Sequence, residues 1–355
     1  MRQIKEVKNM YEKTKALIVK LMREKTFSGV SFSFITQDQT EAYCWGQAQT
    51  YPTPELLTPE MLFDVASLTK VVGTTTVILK LMEQGRLNID RPLQDYLSDF
   101  SDGRITLRHL LTHTADIQSY IKHRDQLNAT ELRQAYLQLA AGDQLGKKVA
   151  YTDTGTILLG FLLEKLYQKD VTAVLKEEVL MPLEMWDSRF LPAAPARCVP
   201  TENHPTRGLI RGQTHDPKAF ILKSHAGNAG LFTNIHDLSK FVRMYLNRGS
   251  YLGKPFLKEA TVESLLQDQT PLENGKRSLG WDLLYSLDDH KPMLYHTGYT
   301  GTFIIIDVLE AEAFIFLSNR VHPTDLRDAY LPKRDQLIHQ YLKEKSFSIN
   351  EMSRL

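Results

Sequence analysis

Residues with β-strand character fall at the two ends of this chain and helical patterns fill its middle, which confines the fold to one sheet assembled from both termini with a helical region inserted within it. Near the start, after Phe27-Ser28-Gly29, the alternation of Val30, Phe32 and Phe34 reads as a strand. Gln37-Asp38-Gln39 then reads as a turn, and Ala42-Tyr43-Cys44-Trp45 as the returning strand of a hairpin. Late strands are expected over 280–285, 293–296, 302–307 and 313–317, where β-branched and aromatic residues cluster. Between about 86 and 220 sheet signals are sparse. Segments 107–112, 130–139, 154–167 and 171–180 read as helices punctuated by Pro and Gly. Residues 3–25 predict an amphipathic helix with Ile4, Val7, Tyr11, Ile18 and Leu21 on one face, packed on the sheet. A closing helix over 334–345 is expected to follow Pro332, with Leu337, Ile338 and Tyr341 inward. The fold class is thus α/β. Residues 1–85 and 225–355 would form the sheet domain and 86–224 the mostly helical one, with the site between them.

At 355 residues the chain can bury a large core, and 42% apolar with 24% charged residues is ordinary globular composition. Lys and Arg total 43 against 42 Asp and Glu, a formal net charge of +1, so no overall field favours nucleic acid or an anionic membrane. Cys44 and Cys198 alone suggest neither a disulfide framework nor a thiolate metal site. The charged N-terminal residues Met1 to Lys8 and the shortness of Ala16-Leu17-Ile18-Val19 give no export signal. No run approaches the roughly 20 apolar residues a transmembrane helix needs, so a cytoplasmic location without a membrane anchor is expected.

The segment Phe63-Asp64-Val65-Ala66-Ser67-Leu68-Thr69-Lys70 sets a serine three positions ahead of a lysine at the start of an apolar helical run over 67–84. Residues i and i+3 share a helix face, so the Lys70 ammonium can reach the Ser67 hydroxyl. A helix N-terminus adds free N–H groups that stabilise negative charge on a reacting carbonyl oxygen. Two later segments could complete such a site. Tyr151-Thr152-Asp153 precedes a small, apolar run, and His296-Thr297-Gly298-Tyr299 ends a strand with a glycine that admits a ligand close to the backbone.

On these residues the chain resembles the serine β-lactamase and penicillin-binding-protein superfamily, in its class C β-lactamase, D,D-peptidase and carboxylesterase branch. The matching motifs are S-x-x-K at Ser67 to Lys70, Y-x-N with aspartate last at Tyr151 to Asp153, and K-T-G with histidine first at His296 to Gly298. Ile105 to Thr114, Ala226 to Phe232 and Leu317 to Pro323 support the likeness. The resemblance implies a β-lactamase-like fold and a serine hydrolase with no cofactor and no metal, working through an acyl-enzyme on a small ester, β-lactam or short peptide. It implies Ser67 as nucleophile with Lys70 and Tyr151 as proton-transfer partners. It places the oxyanion hole at the Ser67 and Tyr299 N–H groups, with Thr297 and Gly298 on the substrate-binding strand.

Two departures modify that reading. An ionised Asp153 beside Lys70 would hold the lysine cationic, which argues for Tyr151 as the working base. Asp153 also removes an amide donor that related enzymes present to an acylamino carbonyl, because a carboxylate only accepts. His296 replaces a lysine, and its ordinary pKa near ~6.5 gives it partial charge at neutral pH. Both point toward esters or peptides and weak β-lactamase activity. A D,D-carboxypeptidase or D-aminopeptidase acting on muropeptides is the alternative within hydrolases, and a non-catalytic peptide or acyl-ligand binder the alternative outside them. His109 and His113 have the i, i+4 spacing of some zinc sites but lack the glutamate of H-E-x-x-H, which favours a structural helix. His215-Asp216-Pro217 and His225 fall in a loop region that could border the pocket, and Tyr120 and Trp186 read as structural.

Overall fold

The computed structural model describes residues 11–352. The chain opens with α1 (Glu12–Arg23), then lays down β1 (Gly29–Ile35), β2 (Thr40–Gln49), β3 (Glu55–Leu56) and β4 (Phe63–Asp64). Helical segments follow: α2 (Thr76–Glu83), α3 (Leu107–Leu111), α4 (Ala129–Leu137), α5 (Thr154–Tyr167) and α6 (Val171–Leu175). Two-residue strands β5 (Arg189–Phe190), β6 (Asn203–His204) and β7 (Gly208–Leu209) interrupt them where the sequence carries little strand signal. Next come α7 (Pro217–Leu222), β8 (Leu231–Thr233), α8 (Ile235–Leu246), the hairpin β9 (Ser250–Tyr251) and β10 (Lys254–Pro255), and α9 (Glu259–Ser264). The chain closes with β11 (Asp282–Tyr285), β12 (Pro292–Gly298), β13 (Thr302–Asp307), β14 (Glu312–Ser318) and α10 (Arg327–Met352).

The large sheet runs β11-β12-β13-β14-β1-β2-β3, with antiparallel neighbours throughout. The first long strand pairs with the last, from Val30 opposite Ser318 to Ile35 opposite Ala313, so the sheet exists only when both ends of the chain meet. Alternation along β1 suggests one buried face, yet all seven residues are buried. Val30, Phe32 and Phe34 pack with Phe303, Phe314 and Phe316 under α1 and α10. The other face, carrying Ile35, Ile304, Ile306, Ile315 and Leu317, joins the main core with Leu238, Phe241 and Tyr245 of α8. At roughly 1.5–3 kcal/mol for each large apolar side chain buried, these two faces are the chief attraction holding the termini together.

Two helices differ from expectation, whereas the first agrees over its described residues. Ile4 and Val7 lie outside the described residues, and α1 buries Ile18 and Leu21 as its inner face. The closing helix begins at Arg327, before Pro332 rather than after it. Pro332 is the sixth residue of that helix, so its missing N–H costs one backbone bond near the start, while Tyr330, Leu337 and Tyr341 bury the helix on the sheet. The run after Ser67 is no uniform α-helix: Lys70–Thr75 takes the wider π form before α2. No helix among the described residues is long and apolar enough to cross a membrane.

Candidate active site

Ser67 occupies the turn between β4 and this π segment. Ala66 beside it takes a left-handed backbone, φ 46°, which an alanine adopts only at a cost. Tertiary bonds hold the turn there. The Asp64 carboxylate accepts from Ala66 N–H at 2.9 Å and from His215 N–H at 2.7 Å, and burial pushes its pKa up to about 6. Thr300 Oγ1 donates to Asp64 O at 2.6 Å and Thr302 Oγ1 to Val65 O at 3.2 Å, tying the start of β13 to the segment ahead of the serine. A Cβ on Gly298 would collide with Thr302 Oγ1 and Val65 O, so only glycine lets the end of β12 come this close. The N–H groups of Ser67 and Tyr299 have no protein acceptor among the described residues.

Lys70 is fully buried. Its Nζ donates to Ser67 Oγ at 2.6 Å and to Asn228 O at 3.2 Å, and lies 2.7 Å from Asp153 Oδ1. Burial alone would lower its pKa, but the contacts with Tyr151 and Asp153 outweigh that and hold the ammonium above its ordinary value. Asp153 stands at the N-cap of α5, where an aspartate ordinarily binds the helix's own N–H groups. It makes no such bond. Its carboxylate turns to Lys70 and, at 2.7 Å, to Lys218 Nζ, and although burial pushes its pKa up, these two ammoniums hold it well below the carboxylate range. Lys218 also pairs with Asp216 at 3.0 Å, and Asn228 Nδ2 donates to Asp216 Oδ1 at 3.2 Å. Since Asn228 O accepts from Lys70, the groups close a ring: Lys70, Asp153, Lys218, Asp216, Asn228 and back to Lys70.

Tyr151 is 47% exposed, with its ring centroid 5.3 Å from Lys70 Nζ and 5.8 Å from the Arg277 guanidinium carbon. The His113 and His296 rings flank it at 4.5 and 6.2 Å. His296 corrects the expectation of partial charge. It is buried, and that burial with the nearby Lys70 and Arg277 cations drives its pKa far below the usual imidazole value, so the ring is neutral at pH 7. Its Nδ1–H donates to Thr297 O at 3.0 Å, which leaves Nε2 as a buried acceptor without a partner among the described residues.

The remaining candidates separate cleanly. His109 Nδ1 accepts from Thr106 N–H at 3.1 Å in a capping box, whereas His113 lies past the end of α3 in a left-handed conformation and accepts from Thr152 N–H at 3.4 Å. The two histidines thus lie on a short helix and on the turn after it, and share no helix face. His225 Nδ1 sits 2.7 Å from Glu164 Oε1, and with Asp170 these are the only three described residues clustered closely enough to surround an ion. Glu164 is already paired with Arg133 and accepts from Val171 N–H, so its charge is answered within the protein. Asp216 caps α7 and His215 stacks on the Tyr299 ring at 5.6 Å. Tyr120 and Trp186 are not core residues. Tyr120 is 83% exposed on a small neighbouring cavity, and Trp186 is exposed outside the cleft.

The cleft itself has a volume of about 780 Å³ and is lined by Ser67, Tyr151, Asp153, Arg207, Lys218 and Tyr299 among others. Sequence reasoning missed Asn228, Lys218 and Arg277. Asp216-Pro217 does signal a helix start, but nothing in the sequence tells a lysine one position later to turn inward. Arg277, buried and paired with Asp282, carries no local signal at all.

A serine bonded to a buried lysine, at a cleft beside an antiparallel sheet of this topology, defines the class: serine hydrolases with the β-lactamase-like fold. The chain belongs to the Beta-lactamase family, whose model matches residues 14–337. It is 29% identical over 345 residues to a putative D-alanyl-D-alanine carboxypeptidase of Escherichia coli O157:H7, covering 83% of this chain and 79% of that protein. It is also 26% identical over 332 residues to an N-acetylmuramyl-L-alanine amidase of Bacillus subtilis (strain 168), covering 78% and 74%. A class C β-lactamase superposes with TM-score 0.75 at 18% identity, over 95% of this chain and 98% of its own. EstCE1, a hydrolase with promiscuous acyltransferase activity, does so with TM-score 0.74 at 17% identity, over 93% and 97%.

Proposed function

We propose that Ser67 is the nucleophile of an acyl-transfer cycle on a small ester, β-lactam or short peptide, with Tyr151 as its base. The observation that carries this reading is the double engagement of Lys70, 2.6 Å from Ser67 Oγ and 2.7 Å from Asp153. A lysine held cationic by a buried carboxylate orients the serine but takes no proton from it, which leaves Tyr151, half exposed at the cleft, to do so. Tyr151 acts as its phenolate beside the Lys70 and Arg277 cations, and the serine proton passes to that oxygen as Oγ attacks the carbonyl carbon. The carbonyl oxygen gathers negative charge against the Ser67 and Tyr299 N–H groups. Tyr151 then returns the proton to the departing alkoxide or amine as its bond to carbon breaks. A water attacks the acyl-serine by the same route in reverse, with Tyr151 accepting its proton and Ser67 leaving as the hydroxyl. The Lys70 and Arg277 cations stabilise negative charge in that space throughout.

Action on a wall-derived peptide, as in a D,D-carboxypeptidase or D-aminopeptidase, is the second reading. It is favoured by the carboxypeptidase and amidase names of the two relatives above. Intact-mass analysis after a fluorophosphonate probe tests the hydrolase: a single adduct lost in Ser67→Ala supports it. An unlabelled wild type overturns it in favour of a ligand-binding homologue.

A further inference from the structure

Glycine at 298 admits the close approach of β12 to the Ser67 turn, but it also removes the side chain that would limit rotation of the peptide carrying the Tyr299 N–H. That peptide has to be held by its neighbours. Its own carbonyl, Gly298 O, accepts from Gly301 N–H at 3.1 Å, which fixes its plane and polarises the N–H at its other end. The next carbonyl along, Tyr299 O, accepts from the Arg320 guanidinium. The Tyr299 phenol donates to Asp325 Oδ2 at 2.5 Å, and Asp325 is itself paired with Arg320. Arg320 therefore reaches Tyr299 twice, directly at the backbone and through Asp325 at the side chain. We infer that Arg320 and Asp325 are positioning residues for the acyl-transfer reaction, which aim the Tyr299 N–H at the point where charge develops on the attacked carbonyl oxygen.

The surroundings of the pair suit that part. The Arg320 guanidinium carbon lies 4.7 Å from the Tyr299 ring centroid and 5.2 Å from that of Tyr330. Its stem packs on Gly301, where a Cβ would collide with it. Arg320 is buried, and neither it nor Asp325 lines the cleft, so both act through Tyr299 rather than on substrate. Burial and the Asp325 carboxylate raise the Tyr299 pKa, so the phenol keeps its proton and remains the donor. In the cleft, the His215 ring stacks on Tyr299 at 5.6 Å. Burial and the Arg207 cation lower the His215 pKa to about 4, so at pH 7 this ring is neutral and leaves Asp325 to Arg320.

This inference rests on the hydrolase reading above, and its test separates the two. Hydrolysis of p-nitrophenyl acetate is compared with that of its thiono analogue, in which sulfur replaces the carbonyl oxygen. Sulfur is larger and a weaker hydrogen-bond acceptor, so it gains little from two aligned N–H groups. The ratio of kcat/KM for the oxygen ester to that for the thionoester thus reads the alignment, whereas loss of folded enzyme lowers both equally and leaves the ratio alone. In the wild type the ratio should exceed that of the hydroxide reaction by about tenfold or more. Arg320→Met should lower kcat/KM for the oxygen ester by about 10–10²-fold and change the thionoester little. Arg320→Lys, which keeps a cation and a donor, should recover part of the ratio. Tyr299→Phe removes only the bond to Asp325 and should give an intermediate ratio, which decides the matter even where Arg320→Met does not fold. A wild-type ratio no greater than that of hydroxide, or one unchanged in every folded variant, overturns the assignment. A fluorophosphonate adduct on wild-type Ser67 together with an unchanged ratio overturns the Arg320 and Asp325 assignment alone, whereas absence of the adduct overturns the hydrolase reading beneath it.

Discussion

Tyr151 sits among four nitrogen-bearing groups, of which Lys70 and Arg277 are cations and His113 and His296 neutral rings. The family's third motif ordinarily begins with a lysine. Here a buried, uncharged histidine takes that place, and the second positive charge near the tyrosine comes from Arg277 instead. Under the proposed mechanism, Tyr151→Phe should slow acylation by about 10²–10⁴, the usual worth of a positioned general base. A stopped-flow burst with p-nitrophenyl acetate measures this, and a rate within tenfold of wild type would assign the proton to another group. The residues named from sequence at this scale stand in three short motifs, Ser67 to Lys70, Tyr151 to Asp153 and His296 to Gly298, whose order along the chain resembles a known family. Lys218 and Asn228 reach Lys70 and Asp153 from more than 60 residues away in sequence, and their roles are set by the fold. A lysine one residue after a proline reads as helix surface until the packing of α7 on α4 turns it inward.

At the scale of elements, the site depends on how closely the end of β12 approaches the turn before Ser67. Thr300 and Thr302 bond that turn's carbonyls, and Gly298 leaves no room for a side chain between them. Gly298→Ala should therefore separate the Ser67 and Tyr299 N–H groups, lower kcat/KM by about 10²-fold or more, and cost about 1–3 kcal/mol of stability. Turnover of a simple ester and urea unfolding read the two effects, and a variant with normal turnover would show that the pair does not bind the oxyanion. Most elements were legible from sequence because their patterns are local: 154–167 is the span of α5, and 302–307 that of β13. The π segment at Lys70–Thr75 was not legible. Its widening coincides with tertiary bonds, Thr74 Oγ1 to Gly227 O at 2.6 Å and Lys70 Nζ to Asn228 O, which no period in the sequence encodes.

At the scale of the molecule, two remote segments of chain are fastened across the sheet. Lys345 of α10, almost wholly buried, lies 3.0 Å from Asp307 and 2.7 Å from Glu312, and Tyr11 donates to Glu312 at 3.1 Å. Burial opposes the Lys345 charge, but Glu312 and Asp307 outweigh it and hold the ammonium above its ordinary pKa. Lys345→Met removes the cation and leaves the buried Asp307 without its ion pair, so the domain should lose about 3–5 kcal/mol. Equilibrium urea unfolding measures the loss, and a change under 1 kcal/mol would mean that the pair does little to hold the ends. That a sheet forms from both termini was readable because strand patterns stand at the two ends of the chain. The strand order was not. It is set by long-range pairing, with β1 bonded along one edge to β2 and along the other to β14 from the far end of the chain.

The closed loop of hydrogen bonds through Lys70, Asp153, Lys218, Asp216 and Asn228 also constrains how this site can change by descent. Exchanging Asp153 for a neutral amide strands a cation, and losing Lys218 strands an anion, so either step alone passes through an unbalanced interior. Positions 153 and 218 are therefore expected to vary together: among aligned relatives, an aspartate at 153 should go with a cation at 218, and a neutral amide at 153 with an uncharged residue there.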